Sequence, residues 1–259
     1  MTSPWGNQPQ NPYLNAPTPG QNAPGYHMGN SFGGPVSGPV GGPGTPTGPA
    51  QKRSKRSSFK LGLFYAGGFL AVIWIVHIIN YGIFFGGLSN FGIYPLDTST
   101  VWHVFTAPLL HADLEHILSN SVPGALFAFL IGYSGHRVFW EVTTLAMAVA
   151  GAGTWLFGGV GTNHIGASGI IYGWLGYLLI RGIFNRSPQQ ISLGILLGFM
   201  YSGLIWGVLP TTPGVSWQGH LFGAIGGLLA GTFITSDDPP ELAASKIAKK
   251  ESKMQAKQR

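Results

Sequence analysis

The sequence contains no cysteine, and only 8% of its 259 residues are charged. The first absence excludes disulfides, thiolate metal sites and a cysteine nucleophile. The second argues against an ordinary soluble domain, in which roughly 25% of residues are charged. The N-terminus is neither basic nor followed by an apolar run, so no cleavable leader is read there and the first apolar segment is expected to act as an uncleaved anchor. Against these shortages stand 45% hydrophobic residues and 41 glycines, a balance typical of chains whose helices pack inside a bilayer.

Residues 1–50 are rich in Pro, Gly and Asn and lack the apolar periodicity needed to bury a core, so they read as a disordered tail. A basic juxtamembrane segment follows at 51–60. Six apolar stretches then occur near 61–86, 115–133, 138–158, 168–185, 191–209 and 217–235, each close to the roughly 20 residues that cross a bilayer. A second basic tail occupies 236–259. With the N-terminus inside and six crossings, the outer connections are 87–114, 159–167 and 210–216, and none carries Lys or Arg. Five cations precede the first span, six follow the last, and Arg137, Arg181 and Arg186 sit at inner turns, which accounts for all 14. Cations concentrate on the cytoplasmic side of membrane proteins, so both tails are expected in the cytoplasm. The formal charge of +6 then reports topology and contact with lipid head groups rather than nucleic acid.

In this arrangement the second, fourth and sixth spans run from outside to inside, and each opens with polar residues. His111, His116 and Asn120 belong to the second, Ser168 to the fourth and His220 to the sixth. Polar side chains inside a membrane protein are costly and point to function. His116 and Asn120, four residues apart, share a helix face, as do Ser168 and Tyr172. Gly219, Gly223, Gly227 and Gly231 recur every fourth residue on the sixth span, and Gly169 and Gly173 match them on the fourth. Small residues at this interval let membrane helices approach closely, which would bring Ser168 within reach of His220. A serine hydroxyl is a weak nucleophile until a neighbouring base takes its proton. His220 suits that task, the Ser168 backbone N–H with Asn120 and His116 can stabilise an oxyanion, and Tyr172 is placed to stack on the His220 ring. No Asp or Glu obviously completes a triad, Asp113 and Glu115 being nearest in sequence to the cluster, so the base is expected to be oriented by packing alone.

Each residue also has an ordinary reading. A lone Ser at a helix start is commonly an N-cap, a lone His often satisfies a carbonyl, and His116 with Asn120 can be interhelical glue. His111, His116 and His164 lack the spacing of a metal site. His164 reads as a solvated loop residue, and Glu141 as structural. What separates the readings is that four polar residues fall at one depth.

At His111-x4-His116-x3-Asn120, Gly166-x-Ser168-Gly169 with Tyr172, and Gly219-His220-x2-Gly223, the sequence resembles the rhomboid proteases over roughly residues 60–236. The resemblance implies an all-α polytopic membrane protein, a six-transmembrane-helix rhomboid bundle with a membrane-associated first loop, in a bacterial plasma membrane. It implies a serine endopeptidase without cofactor or metal that cleaves transmembrane protein substrates near the outer face. Ser168 and His220 would form the dyad, with His116 and Asn120 as oxyanion donors. One departure is visible: the family's Trp-Arg pair in the first loop is matched by Trp102-His103, so the way that loop is anchored does not carry over. Two other classes share parts of this pattern. A transporter usually shows repeated halves or broken helices near the midplane, and the sequence leads one to expect neither; a catalytically silent relative lacks the Ser or His, and both are present.

Overall fold

In a computed structural model of the chain, the described residues are 55–234 together with positions 248, 251 and 254–256. The Pro-rich segment 1–50 and most of the basic tail lie outside them. Six α-helices follow in order: α1 (Lys55–Gly82), α2 (Leu114–Gly132), α3 (His136–Phe157), α4 (Ser168–Phe184), α5 (Pro188–Met200) and α6 (Trp217–Phe233). Short 3-10 helices at Gly87–Phe91, Thr98–Phe105 and Ala107–Leu109 build the first loop, and another, Ser202–Val208, follows α5. Among the described residues no strand forms; an isolated antiparallel bridge joins Ile93 and His164.

The molecule is an all-α membrane bundle. Large apolar side chains lie exposed on its outer faces, among them Phe64, Val122, Leu196, Phe199 and Phe233. Lipid is the solvent such faces fit, because soluble monomers avoid apolar patches of this extent. By length and hydropathy, Ser57–Gly82 and Leu114–Gly132 qualify as spans, and α5 with Ser202–Val208 adds a broken one. At 17 residues each, α4 and α6 are short for spans.

The closest packing joins α4 to α6, with α3 packed against both. A Cβ added at Gly169 would lie 3.2 Å from the Gly219 carbonyl oxygen, one at Gly173 3.0 Å from that of Gly223, and one at Gly176 2.7 Å from that of Ala224. At Gly223 and Gly227 it would overlap the carbonyls of Gly169 and Gly173. The contacts advance together along both helices, so α4 and α6 run parallel, as the matching glycine intervals foretold. On the other side, α1 packs on α2 through Gly62, Gly124 and Gly132, which face Phe129, Phe69 and Tyr65. The core between the helices is filled by Phe127, Ile131, Val142, Trp174, Tyr177 and Leu178, all nearly inaccessible.

The structure corrects two span boundaries. The first helix starts earlier and stops at Gly82 rather than 86, because Phe85 and Gly86 take left-handed conformations, with φ 52° and 87°, that a helix cannot continue. The fifth stretch is not one continuous helix: α5 stops at Met200 and the chain bends by 68° into Ser202–Val208. Hydropathy is blind to such a break, since both pieces are apolar. Glu141 pairs with Arg137 at 3.1 Å across one turn of α3, a structural role as read.

The glycine contact yields a test. Gly227→Ala should lower stability by about 1–3 kcal/mol through overpacking, although alanine is the better helix former. Gly67→Ala, where an added Cβ has open space, should be neutral or stabilising. Thermal unfolding in detergent reads both; equal melting of the two variants would refute the account.

Candidate active site

Ser168 is the first residue of α4, and the N-cap position before it is Ala167, in the αR conformation and with no side-chain cap bond. The capping reading is thereby excluded. Its Oγ lies 2.7 Å from His220 Nε2. His220 sits on the first turn of α6 and is 8% exposed. Its other ring nitrogen, Nδ1, lies 2.8 Å from the carbonyl oxygen of Gly207. A carbonyl only accepts, so Nδ1 carries the proton and Nε2 of the neutral ring is left to accept from the serine. Tyr172 stacks on the imidazole with ring centroids 4.2 Å apart and planes within 8°, and its hydroxyl donates to the Leu204 carbonyl at 2.7 Å. Orientation of the base by packing alone is therefore corrected: a backbone acceptor also fixes it. Gly207 and Leu204 carried no signal in the sequence, because every residue has a carbonyl and only the fold aims it.

His116 and Asn120 stand across the cavity on α2. Asp113 caps that helix, its carboxylate accepting from the His116 N–H at 2.8 Å, so it does not serve the base. His116 Nδ1 faces the Ala112 N–H at 3.4 Å, which leaves Nε2 as the protonated, donating nitrogen of the neutral ring. That Nε2 points at Gly166: a Cβ there would lie 2.7 Å from it and 3.7 Å from Ser168 Oγ. Gly166 has φ 124°, so glycine is required on both counts. Asn120 is buried and donates one N–H to the His116 carbonyl at 2.9 Å, with its second N–H available to a ligand. As the first residue of α4, Ser168 has a backbone N–H without an intrahelical acceptor. His116, Asn120, Ser168, Tyr172 and His220 line one open cavity of about 650 Å³. Gly169 and Gly223 serve the helix contact described above.

His111 lies behind the site, fully buried, with its ring edge-on to His116 at 5.0 Å. Burial, followed by the neighbouring His116 and His77, holds its pKa down at about 4, so it stays neutral at physiological pH. His164 corrects the sequence reading. It is half-buried, its ring 2.7 Å from Thr162 Oγ1 and 2.7 Å from Ser216 Oγ, and burial pushes its pKa down. The three histidines do not converge. Among the described residues no group of three or more His, Asp or Glu is disposed to hold a metal.

The first loop is tied to the segment that presents Ser168. Ile93 and His164 exchange backbone hydrogen bonds at 2.9 and 3.0 Å, and the Gly166 N–H donates to the Ala107 carbonyl at 2.9 Å. His103, at the position of the expected arginine, is buried, and its Nδ1–H donates to the Gly92 carbonyl at 2.6 Å. The substitution thus supplies its own anchor beside the Ile93 bridge.

The rhomboid domain model matches residues 98–237, a span that includes every residue of this cavity. The chain belongs to the rhomboid family. It is 37% identical over 203 residues to an uncharacterized protein of Mycobacterium tuberculosis, covering 75% of this chain and 84% of the other. An uncharacterized Mycobacterium leprae protein is 36% identical over 198 residues, 73% and 78% of the two chains. The rhomboid protease GlpG of Haemophilus influenzae is 30% identical over 156 residues, 58% and 77%. The rhomboid assignment thus carries the bundle and its membrane character, while the chemistry rests on the site.

Removing the His103 anchor should loosen the loop. His103→Phe keeps a ring and loses the bond to Gly92, so limited proteolysis of the purified protein should cut within residues 87–109 several times faster than in wild type. An unchanged cutting rate would show that the histidine is dispensable for anchoring.

Proposed function

We propose that the protein is an intramembrane serine endopeptidase in which Ser168 is the nucleophile and His220 the general base. The observation that carries this reading is the 2.7 Å approach of Ser168 Oγ to His220 Nε2 at the wall of an open cavity. Ser168 Oγ attacks the scissile carbonyl carbon while its proton passes to Nε2. The tetrahedral oxyanion is met by the Ser168 N–H, His116 Nε2–H and the free Asn120 N–H. Collapse breaks the C–N bond, and the amine leaves with the proton from Nε2. Water then attacks the acyl-enzyme with His220 again as base, releasing the carboxylate and restoring the serine.

The substrates are transmembrane proteins. The cation distribution supports both termini in the cytoplasm and a cavity that opens to the outer side. The exposed Phe91, Trp102 and Phe105 of the first loop suit a loop resting in the outer leaflet. The basic flanks suit contact with anionic lipid.

Wild-type protein should react with a fluorophosphonate and cut a membrane-helix reporter. Ser168→Ala should abolish both, and His220→Ala should abolish cutting. Asn120→Ala should lower kcat by about 100-fold, the usual cost of one oxyanion donor. Labelling that persists in Ser168→Ala would sink the nucleophile assignment. A scissile bond must leave its helix to reach the serine, so a reporter with Gly or Pro near the cut should be cleaved well and an all-Leu helix poorly. Equal cutting of the two reporters would contradict that step.

A further inference from the structure

The segment Ser202–Val208 was invisible as a functional element in the sequence, yet two of its carbonyls reach the candidate dyad. Gly207 accepts from His220 Nδ1 at 2.8 Å, and Leu204 accepts from the Tyr172 hydroxyl at 2.7 Å. The first contact holds the edge of the imidazole. The second holds the phenol ring stacked on its face, 4.2 Å away. Both come from the piece of chain that breaks away from α5 by 68°. A continuous helix would engage these carbonyls along its own axis. The Gly207 carbonyl lies in the last turn of Ser202–Val208, where helix carbonyls have no intrahelical partner.

We infer that Gly207 is a positioning residue for the base, its main-chain carbonyl occupying the place that a carboxylate takes in a Ser-His-Asp triad. This rests on the protease reading above. In such triads the third group fixes the histidine tautomer, and a wrong tautomer costs orders of magnitude in rate. A carbonyl does the same service, since it accepts from Nδ1–H and offers no proton of its own. It also avoids placing an ionised carboxylate within the bundle.

The identity of residue 207 follows from space. A Cβ there would overlap the Tyr172 hydroxyl and lie 3.0 Å from His220 Nδ1. The φ of Gly207 is not in the left-handed region, so crowding alone selects glycine. Gly203, on the same segment, has nothing within 4 Å of an added Cβ. The two positions therefore separate a specific contact from a general requirement for glycine in this turn.

The experiment compares wild type, Gly207→Ala and Gly203→Ala on a membrane-helix reporter and with a fluorophosphonate. Gly207→Ala should lose roughly 10- to 100-fold in kcat, the scale of a small misplacement of a reacting group. KM should stay within about twofold, and labelling should slow in parallel. Gly203→Ala should behave as wild type. A Gly207→Ala enzyme at wild-type rate or a Gly203→Ala enzyme equally impaired would each overturn the inference. Folding of the variants is bypassed by a measurement on wild type. With 15N-labelled histidine, the His220 ring, assigned by its absence in His220→Asn, should show the Nδ1–H tautomer. An Nε2–H tautomer would overturn the proposal. Wild-type protein that neither cuts nor labels would instead overturn the underlying protease reading, a distinct result.

Discussion

Everything at the candidate site depends on how closely α4 and α6 approach. Ser168 and His220 are 52 positions apart, and each sits on the first turn of its helix. Their side chains are short, so a 2.7 Å hydrogen bond between them requires the backbones to be nearly in contact. Alternating glycines permit this, with carbonyls of one helix resting where the other would carry side chains. In a lipid-facing bundle the hydrophobic effect does little to drive helices together. Close van der Waals packing of small residues supplies the attraction instead. The same feature that assembles the bundle thereby sets the separation of Ser168 and His220.

A second constraint is the saturation of polar groups in a poorly hydrated interior. The loops around the site are knit by main-chain bonds: Ile93 with His164, Gly166 with Ala107, and Leu96 with Trp155. These bonds hold the segment that presents Ser168 against the first loop. His103 works within this frame. Its buried ring satisfies the Gly92 carbonyl, one residue before the Ile93 bridge. His164, joined to Ser216 at the start of α6, extends the same frame toward the helix of the base.

The histidine is held without a carboxylate. A buried ionised Asp would cost several kcal/mol to desolvate unless fully paired. Asp113 is committed to capping α2 and Glu115 is exposed. A carbonyl from a broken helix costs far less to bury. The bend after Met200 redirects the chain so that carbonyls of Ser202–Val208 meet Tyr172 and His220. This links the irregularity of the bundle to the geometry of the base.

The sequence by itself determined that the chain is an all-helical membrane protein, that α4 opens at Ser168, and that α4 and α6 pair through glycines. These follow from local properties: hydropathy, cation placement, and residue intervals on a helix of known pitch. It also marked Ser168, His220, His116, Asn120 and Tyr172, because polar residues among apolar ones stand out by their cost. Only the tertiary structure decided how His220 is held, where α5 breaks, that His103 anchors the first loop, and that His164 is bonded rather than solvated. Each of these rests on a main-chain group or on a partner distant along the chain. A carbonyl has no letter in the sequence, and His164 meets Ser216 only once the helices between them have packed.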